Sequence, residues 1–241
     1  TEKRYQLGAP LLSDSVRDVR IEAAVALAAV PRQALSPEQT LLLDKAVGEY
    51  EAVQRVNAER PESDLNLGLL YAALGSPDKA EAAYRAAIRK DPAFVPAYVN
   101  LADLLRVQGR SGEALLREGV AAAPRAAALH HALGLALVRE QRLADATTAL
   151  QRAAELAPDN PRFGYVHAVA VKETEGIARA IDLLRSQLLR HPENRDLLVA
   201  LITYSREAGD RAAALAYAER LVRLAPKDPV ARQLRTELGG Q

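Results

Sequence analysis

Small and apolar residues recur along this chain at a pitch longer than any one helix. The stretch from Pro61 to Phe94, PESDLNLGLLYAALGSPDKAEAAYRAAIRKDPAF, sets the pattern. Leu67, Leu70, Tyr71 and Leu74 share one helical face, and Ala80, Ala83, Tyr84, Ala87 and Ile88 share another. Gly75-Ser76-Pro77 separates them, with glycine where a helix ends and proline where the next begins. Asp91-Pro92 closes the unit, because proline cannot continue a helix. That ending returns as Ala123-Pro124, Ala157-Pro158, His191-Pro192 and Ala225-Pro226, at steps of 32, 34, 34 and 34 residues. An interior alanine keeps the beat at Ala80, Ala114, Ala146, Ala180 and Ala214. So does an opening leucine at Leu67, Leu101, Leu133 and Leu201, with His167 as the exception. A fixed period of this length predicts an all-α solenoid of two-helix units.

Gly68 and Ala80 are small, as two closely crossing helices require. Together, Leu67-Gly68, Tyr71, Gly75, Ala80, Tyr84, Ala87 and Pro92 resemble the tetratricopeptide repeat (TPR). The resemblance implies a right-handed α-α superhelix of antiparallel helix pairs, with the first helix of each unit lining the concave side. The tryptophan often found three residues ahead of the opening leucine is Asp64 here, so that aromatic contact is missing.

The ends of the chain read differently. Residues 1–13 are polar, with Gly8 and Pro10, and predict an irregular lead-in. Asp14 then caps a helix whose apolar face is Val16, Val19, Ala23, Ala26, Leu27 and Val30, ended by Pro31. Its pattern resembles one helix of a HEAT repeat. Residues 31–37 connect it to a second helix, Glu38 to Arg60, carrying Leu42, Ala46, Tyr50 and Val53. The last three stand 34 residues before Ala80, Tyr84 and Ala87. Residues 1–60 therefore read as a HEAT-like helix and a divergent half-repeat. Five units follow, at 61–94, 95–126, 127–160, 161–194 and 195–228. Residues 229–241 form a capping helix with Val230 and Leu234 inward and Arg232, Arg235 and Glu237 outward. Unit two is two residues short. The Ala80–Ala114 step is whole and the Pro92–Pro124 step is not, so the loss is expected between Ala114 and Pro124. Its second helix should be shorter or distorted, and further weakened by Gly112 and Gly119.

Composition narrows the function. The chain has 241 residues, 49% hydrophobic and 26% charged, with a net charge of +1, which gives no pull towards nucleic acid or lipid. Having no cysteine, it cannot hold disulfides, thiolate metal sites, a cysteine nucleophile or covalent c-type haem. No apolar run approaches the roughly 18 residues of a membrane span, and no signal peptide stands at Thr1. The start at Thr1 and the absence of Met point to a processed product or an excised fragment. There is no phosphate-cradling glycine loop, no His-Glu-x-x-His and no nucleophile elbow. Glu173 and Glu175 fall on turns or outer faces, and no serine has a histidine at helical spacing. The expectation is a non-enzymatic protein without metal or cofactor. His130 and His131 are neighbours on a helix, about 100° apart, and cannot chelate one ion together. His191 precedes a proline in a turn. His167, in place of a core leucine, should be buried with a hydrogen-bond partner.

By resemblance, the groove is lined in unit one by Leu65, Asn66, Leu69, Ala72 and Ala73. Unit two gives Val99, Asn100, Asp103, Arg106 and Val107, and unit three His131, Ala132, Leu135, Val138 and Arg139. Unit four gives Tyr165, Val166, Val169, Lys172 and Glu173, and unit five Val199, Ala200, Thr203, Arg206 and Glu207. Asn66 and Asn100 stand where peptide-binding TPRs use asparagine to hold a ligand's main chain, since an amide both donates and accepts. Arg106, Arg139, Lys172 and Arg206 form a basic row that could steer an acidic peptide, although Asp103, Glu173 and Glu207 dilute it. The basic residues of TPR carboxylate clamps are absent from unit one, where Leu65 and Leu69 stand. The apolar floor would accept an apolar helix, an extended segment or a second copy of the chain.

The stretches LLSDSVRDVRIEAA, FVPAYVNLADLLR and ALHHALGLALV also resemble the C-terminal region of bacterial multihaem c-type cytochromes, although no Cys-x-x-Cys-His is present. That resemblance implies a docking module of an exported electron-transfer protein, in the periplasm. Otherwise the chain reads as a cytoplasmic interaction scaffold that binds a peptide or protein partner in its groove. No nucleic-acid partner or membrane insertion is expected; self-association is a third option.

Overall fold

Proline opens and glycine closes much of this architecture. The computed structural model describes residues 2–240, with side chains from Tyr5 onward. Its helices are α1 (Glu2–Gly8), α2 (Arg17–Leu27), α3 (Pro37–Val56), α4 (Pro61–Ala73), α5 (Pro77–Lys90), α6 (Val95–Val107) and α7 (Glu113–Ala122). They continue as α8 (Ala127–Arg139), α9 (Leu143–Leu156), α10 (Pro161–Glu175), α11 (Ile177–Arg190), α12 (Arg195–Glu207), α13 (Arg211–Leu224) and α14 (Pro229–Gly239). The described residues contain no strand, so the fold is all-α, as the periodicity predicts. Pro37, Pro61, Pro77, Pro161 and Pro229 each occupy a first helical position, where the missing N–H costs nothing. The chain divides into two compact units, residues 1–124 and 125–241.

In the first unit the lead-in is helical, not irregular. After α1 a 3₁₀ segment covers Ala9–Ser13, and Ala9 and Leu12 are buried against α2. Its polar composition concealed two apolar anchors. Gly8 lies so close to Leu27 that a Cβ there would stand 3.1 Å from Leu27 Cγ, and Tyr5 Oη donates to Gln39 Oε1 at 3.2 Å. α2 is rotated from the expected face. Ile21, Ala23, Ala24 and Leu27 are buried, whereas Val16 and Ala26 are exposed. Asp14 does not cap α2, whose N-cap position is Val16; its Oδ1 accepts from Val16 N at 2.7 Å, just ahead of the helix. Arg20 ties the region together. Its Nη1 donates to the carbonyls of Asp14 and Ser15 at 2.8 and 3.0 Å, and its Nη2 meets Glu49 Oε1 at 2.9 Å. That bond holds the Glu49 carboxyl below the usual carboxylate range. Ser36 and Gln39 form a reciprocal capping box at the start of α3.

The hairpin of α4 and α5 follows the repeat's rule. Gly75 turns the chain at φ 69°, and Ser76 N donates to Tyr71 O at 2.8 Å. A Cβ on Gly68 would lie 2.4 Å from the ring of the buried Tyr84, and Ala80 and Ala87 are fully enclosed. At the missing tryptophan's place, Asp64 forms an ion pair with Lys90 of α5.

The α6–α7 hairpin corrects the expected site of the deletion. α7 is shorter, 10 residues against 14 in α5, but the loss precedes Ala114. Arg110 N donates to Leu105 O at 2.8 Å, still 34 residues from its counterpart at Ser76. From Gly112 onward the step is 32. Gly112 is buried where Ala80 sits, Leu116 replaces Tyr84 and Gly119 replaces Ala87, while Ala114 is exposed. A Cβ on Gly112 would lie 3.1 Å from Ala102 Cβ, which places the small residue at the helix crossing. Two residues are therefore missing between the turn glycine, Gly109, and Gly112.

The second unit repeats the hairpin three times: α8 with α9, α10 with α11, and α12 with α13. Gly134 crosses Leu150 closely, a Cβ there falling 2.5 Å from Leu150 Cγ. Gly176 and Gly209 turn two of the hairpins with positive φ, and Gln141 does so in the other at φ 61°. α14 buries Ala231 and Leu238, not Val230, which is 50% exposed; Leu234 is half-buried, and Arg232, Arg235 and Glu237 are exposed. Arg211 donates to the carbonyls of Glu237 and Leu238 at 3.2 and 3.0 Å, satisfying helix-end acceptors.

Candidate binding surface

The first helix of each hairpin carries the residues singled out by the sequence. In the first unit, α2, α3 and α4 enclose a pocket of about 260 Å3 lined by Val25, Ala28, Tyr50, Asn66, Leu69, Leu70 and Ala73. Leu69 and Val25 are 45% and 42% exposed, a large apolar area for neighbouring side chains. Asn66 Nδ2 donates to Gln54 Oε1 at 3.3 Å, which orients the amide. Leu65 beside it is half-buried. On the same helix Tyr71 Oη donates to Glu51 Oε1 at 2.9 Å; burial, then this bond, pushes the phenol up to about 12.

On α6, Val99 and Asn100 are half-buried, and Asp103, Arg106 and Val107 are exposed. Asn100 Nδ2 donates to Pro96 O at 2.8 Å, within its own helix. The two asparagines are thus held differently, one by a neighbouring helix and one by its own backbone.

In the second unit, Leu135, Val138, Tyr165, Val169 and Val199 are half-buried, and Arg139 and Arg206 are exposed. His131 departs from the expected inner wall because it is buried, 8% exposed, with the Phe163 ring centroid at 4.6 Å. Neither ring nitrogen has a hydrogen-bond partner. Desolvation, with a smaller push from Arg162, lowers its imidazole to about 4, so it is neutral at ordinary pH. His167 is buried, as its place in the repeat predicts, at a cleft of about 590 Å3 shared with Gln151, Glu155, Glu175, Arg179 and Gln187. Burial lowers its pKa, and Glu175 and Glu155 oppose that shift.

Three members of the basic row already stand beside carboxylates. Arg106 lies 2.7 Å from Asp103, Lys172 2.7 Å from Glu207, and Arg206 4.0 Å from Glu237. Lys172 Nζ also lies 5.0 Å from the Tyr204 ring centroid. Sequence reasoning missed Val25, Tyr50 and Tyr204. Tyr50 was read as core through its spacing to Tyr84, and Tyr204 lies four residues past Ala200, on the helix face where the groove positions cluster. Among the described residues no three His, Asp or Glu side chains gather to hold a metal, and no helix is long and apolar enough to cross a membrane.

Two models of the tetratricopeptide repeat match the chain, one over residues 42–95 and 165–229 and the other over 83–116. Curated protein sequences give no significant match. Solved structures share the fold. Yeast Tom70 superposes with a TM-score of 0.65 at 18% identity, over 93% of this chain and 46% of Tom70. PilF of Pseudomonas aeruginosa gives 0.57 at 18%, over 92% of this chain and 99% of PilF. YrrB gives 0.56 at 17%, over 78% of this chain and 97% of YrrB. None of these matches bears on the multihaem resemblance. Helical hairpins turned at a left-handed corner, small residues at each crossing, and repeat models that together span more than half of the sequence lead to one conclusion: the chain belongs to the tetratricopeptide repeat family.

Proposed function

We propose that this chain is a non-enzymatic scaffold that holds a peptide or protein partner against the first helices of its repeats. The observation that carries this reading is the α2–α3–α4 pocket, where exposed Leu69 and Val25 flank the oriented amide of Asn66. An apolar hollow beside a fixed acceptor and donor suits an extended segment, which offers both side chains and main-chain groups. YrrB, a structural relative, is described as a TPR protein with an unusual peptide-binding site, which supports the class of partner. Charge is a weak selector here, since Arg106, Lys172 and Arg206 are already matched by acids. The division into a HEAT-like start, five units and a capping helix belongs to the same proposal.

The test is selection of displayed random peptides on the immobilised chain. Enriched sequences that lose binding to Leu69→Asp, and that weaken with Asn66→Ala and Asn100→Ala while helicity is kept, support the groove. No enrichment, or binding indifferent to all three changes, overturns it. The reading as a docking module of a multihaem electron-transfer protein rests on the sequence resemblance. Cys-x-x-Cys-His repeats encoded upstream of Thr1 would favour it.

A further inference from the structure

A hollow with a mostly apolar lining, sharing no residue with the α2–α3–α4 pocket, lies at the start of the first unit. α1, the 3₁₀ segment and α2 enclose about 560 Å3, walled by Leu7, Gly8, Leu11, Val19, Ala23 and Ala26. Leu7 is 74% exposed and Leu11 42% exposed, so two large apolar side chains face water along one groove. Gly8 and Ala23 are buried at its floor, and Ala26, small and exposed, leaves room for another helix to approach. The groove follows α2 from Asp18 to Ala26, roughly 12 Å or two helical turns.

Among the described residues of its lining, the charged ones are both acids. Asp18 and Glu22 also line the groove, four residues apart on one helix face, where like charges repel. Among the described residues neither makes a hydrogen bond or ion pair, whereas Glu49, Glu51 and Glu81 in the same unit each engage an arginine. Asp18 lies in the first turn of α2, where the helix dipole favours an acid. Glu22 is beyond that turn, so the dipole does not explain it.

We propose that this groove docks an amphipathic helix bearing two lysine or arginine side chains one turn apart beside a leucine-rich stripe. The stripe covers Leu7 and Leu11, and the two cations meet Asp18 and Glu22, whose spacing along α2 is one helical turn. This surface is separate from the repeat groove and does not depend on it.

The experiment uses two fluorescent helical peptides of about 18 residues, roughly five turns. Both carry the leucine stripe; one has lysine and its twin glutamate at the flanking positions. Anisotropy titrations with the full chain should show the lysine peptide binding at least about tenfold tighter than its twin, and weaker in high salt. Asp18→Lys with Glu22→Lys should reverse that order, and Leu7→Ser with Leu11→Ser should weaken both peptides, with helicity unchanged by circular dichroism. Leu69→Asp should leave binding of the lysine peptide intact. Equal affinities, no binding, or an order unmoved by the charge reversal overturns the proposal. So does loss of binding in Leu69→Asp, which would put the peptide in the repeat groove. A dimer in sedimentation that the charge reversal dissolves would give the groove to a second copy and equally overturn it.

Discussion

The α6–α7 hairpin and the inner face of α8 each break the repeat's rule, with different outcomes. In the hairpin two residues are missing, and the helix slides until Gly112 takes the place held by Ala80 in the preceding hairpin. Leu116 and Gly119 then fill the next two buried places, and Ala123 N donates to Gly119 O at 2.8 Å as Asp91 N does to Ala87 O at 3.0 Å. On α8, a histidine stands where the other units carry Leu65, Val99, Tyr165 and Val199. Here α8 keeps the register of the repeat, and the two ring nitrogens are buried without partners, which costs free energy. The hairpin absorbs its length error by a shift in phase; α8 keeps its phase and carries the unpaired polar atoms instead.

The strongest way to break this comparison is to restore the two residues in the wrong place. Two residues inserted after Leu116 turn the rest of α7 by about 200°. That removes Gly119 from the crossing and should cost about 4 kcal/mol in urea unfolding. The same insertion after Arg110 should cost under about 1 kcal/mol, because it only lengthens the turn and the start of α7. Next in size is the response to acid. The folded chain holds the His131 imidazole at about 4, so between roughly pH 6.5 and 4 the unfolded chain binds a proton that the folded chain refuses. Stability therefore rises with pH through that window, and acidification should remove about 3 kcal/mol that His131→Leu retains, measured as the difference between their unfolding free energies at pH 7 and pH 4.

A smaller effect separates the two alanines that share a 34-residue step. Ala80→Gln, at a fully enclosed position, should cost about 2 kcal/mol, whereas Ala114→Gln should fall within about 0.5 kcal/mol of the parent by thermal unfolding. Equal costs would restore the deletion to the far side of Ala114. Finally, His131→Leu should stabilise the chain at pH 7 by about 1 kcal/mol, since it removes two unpartnered polar atoms from the interior.

The hairpins from α4 onward were legible because their signals are local: a proline that starts a helix, a glycine that turns it, a small residue at the crossing. What escaped needed information from elsewhere in the fold. Residues 1–13 read as a polar, irregular lead-in, yet Ala9 and Leu12 pack against α2, and Val16 and Ala26 fit a helical face that the packing of Ile21 and Ala24 displaces. Ala114 kept the beat by coincidence, since alanine is frequent in this chain and says little about phase. At the candidate site, the positions were readable from the repeat, but their states were not. Phe163 covers His131, Asn100 spends its N–H on its own helix, and the pocket at Asn66 depends on Val25 and Tyr50 from two other helices.

Gln141 has a use beyond its place in the second unit. Four hairpin corners are glycine, yet this one holds a side chain in the left-handed region, at a cost of roughly 1–2 kcal/mol. The helices on either side therefore dictate the bend, and the occupant merely complies. Its side chain stands in solvent, so a cysteine there would give a single thiol in a protein that has none, a ready handle for a dye or a surface tether that leaves the packing untouched.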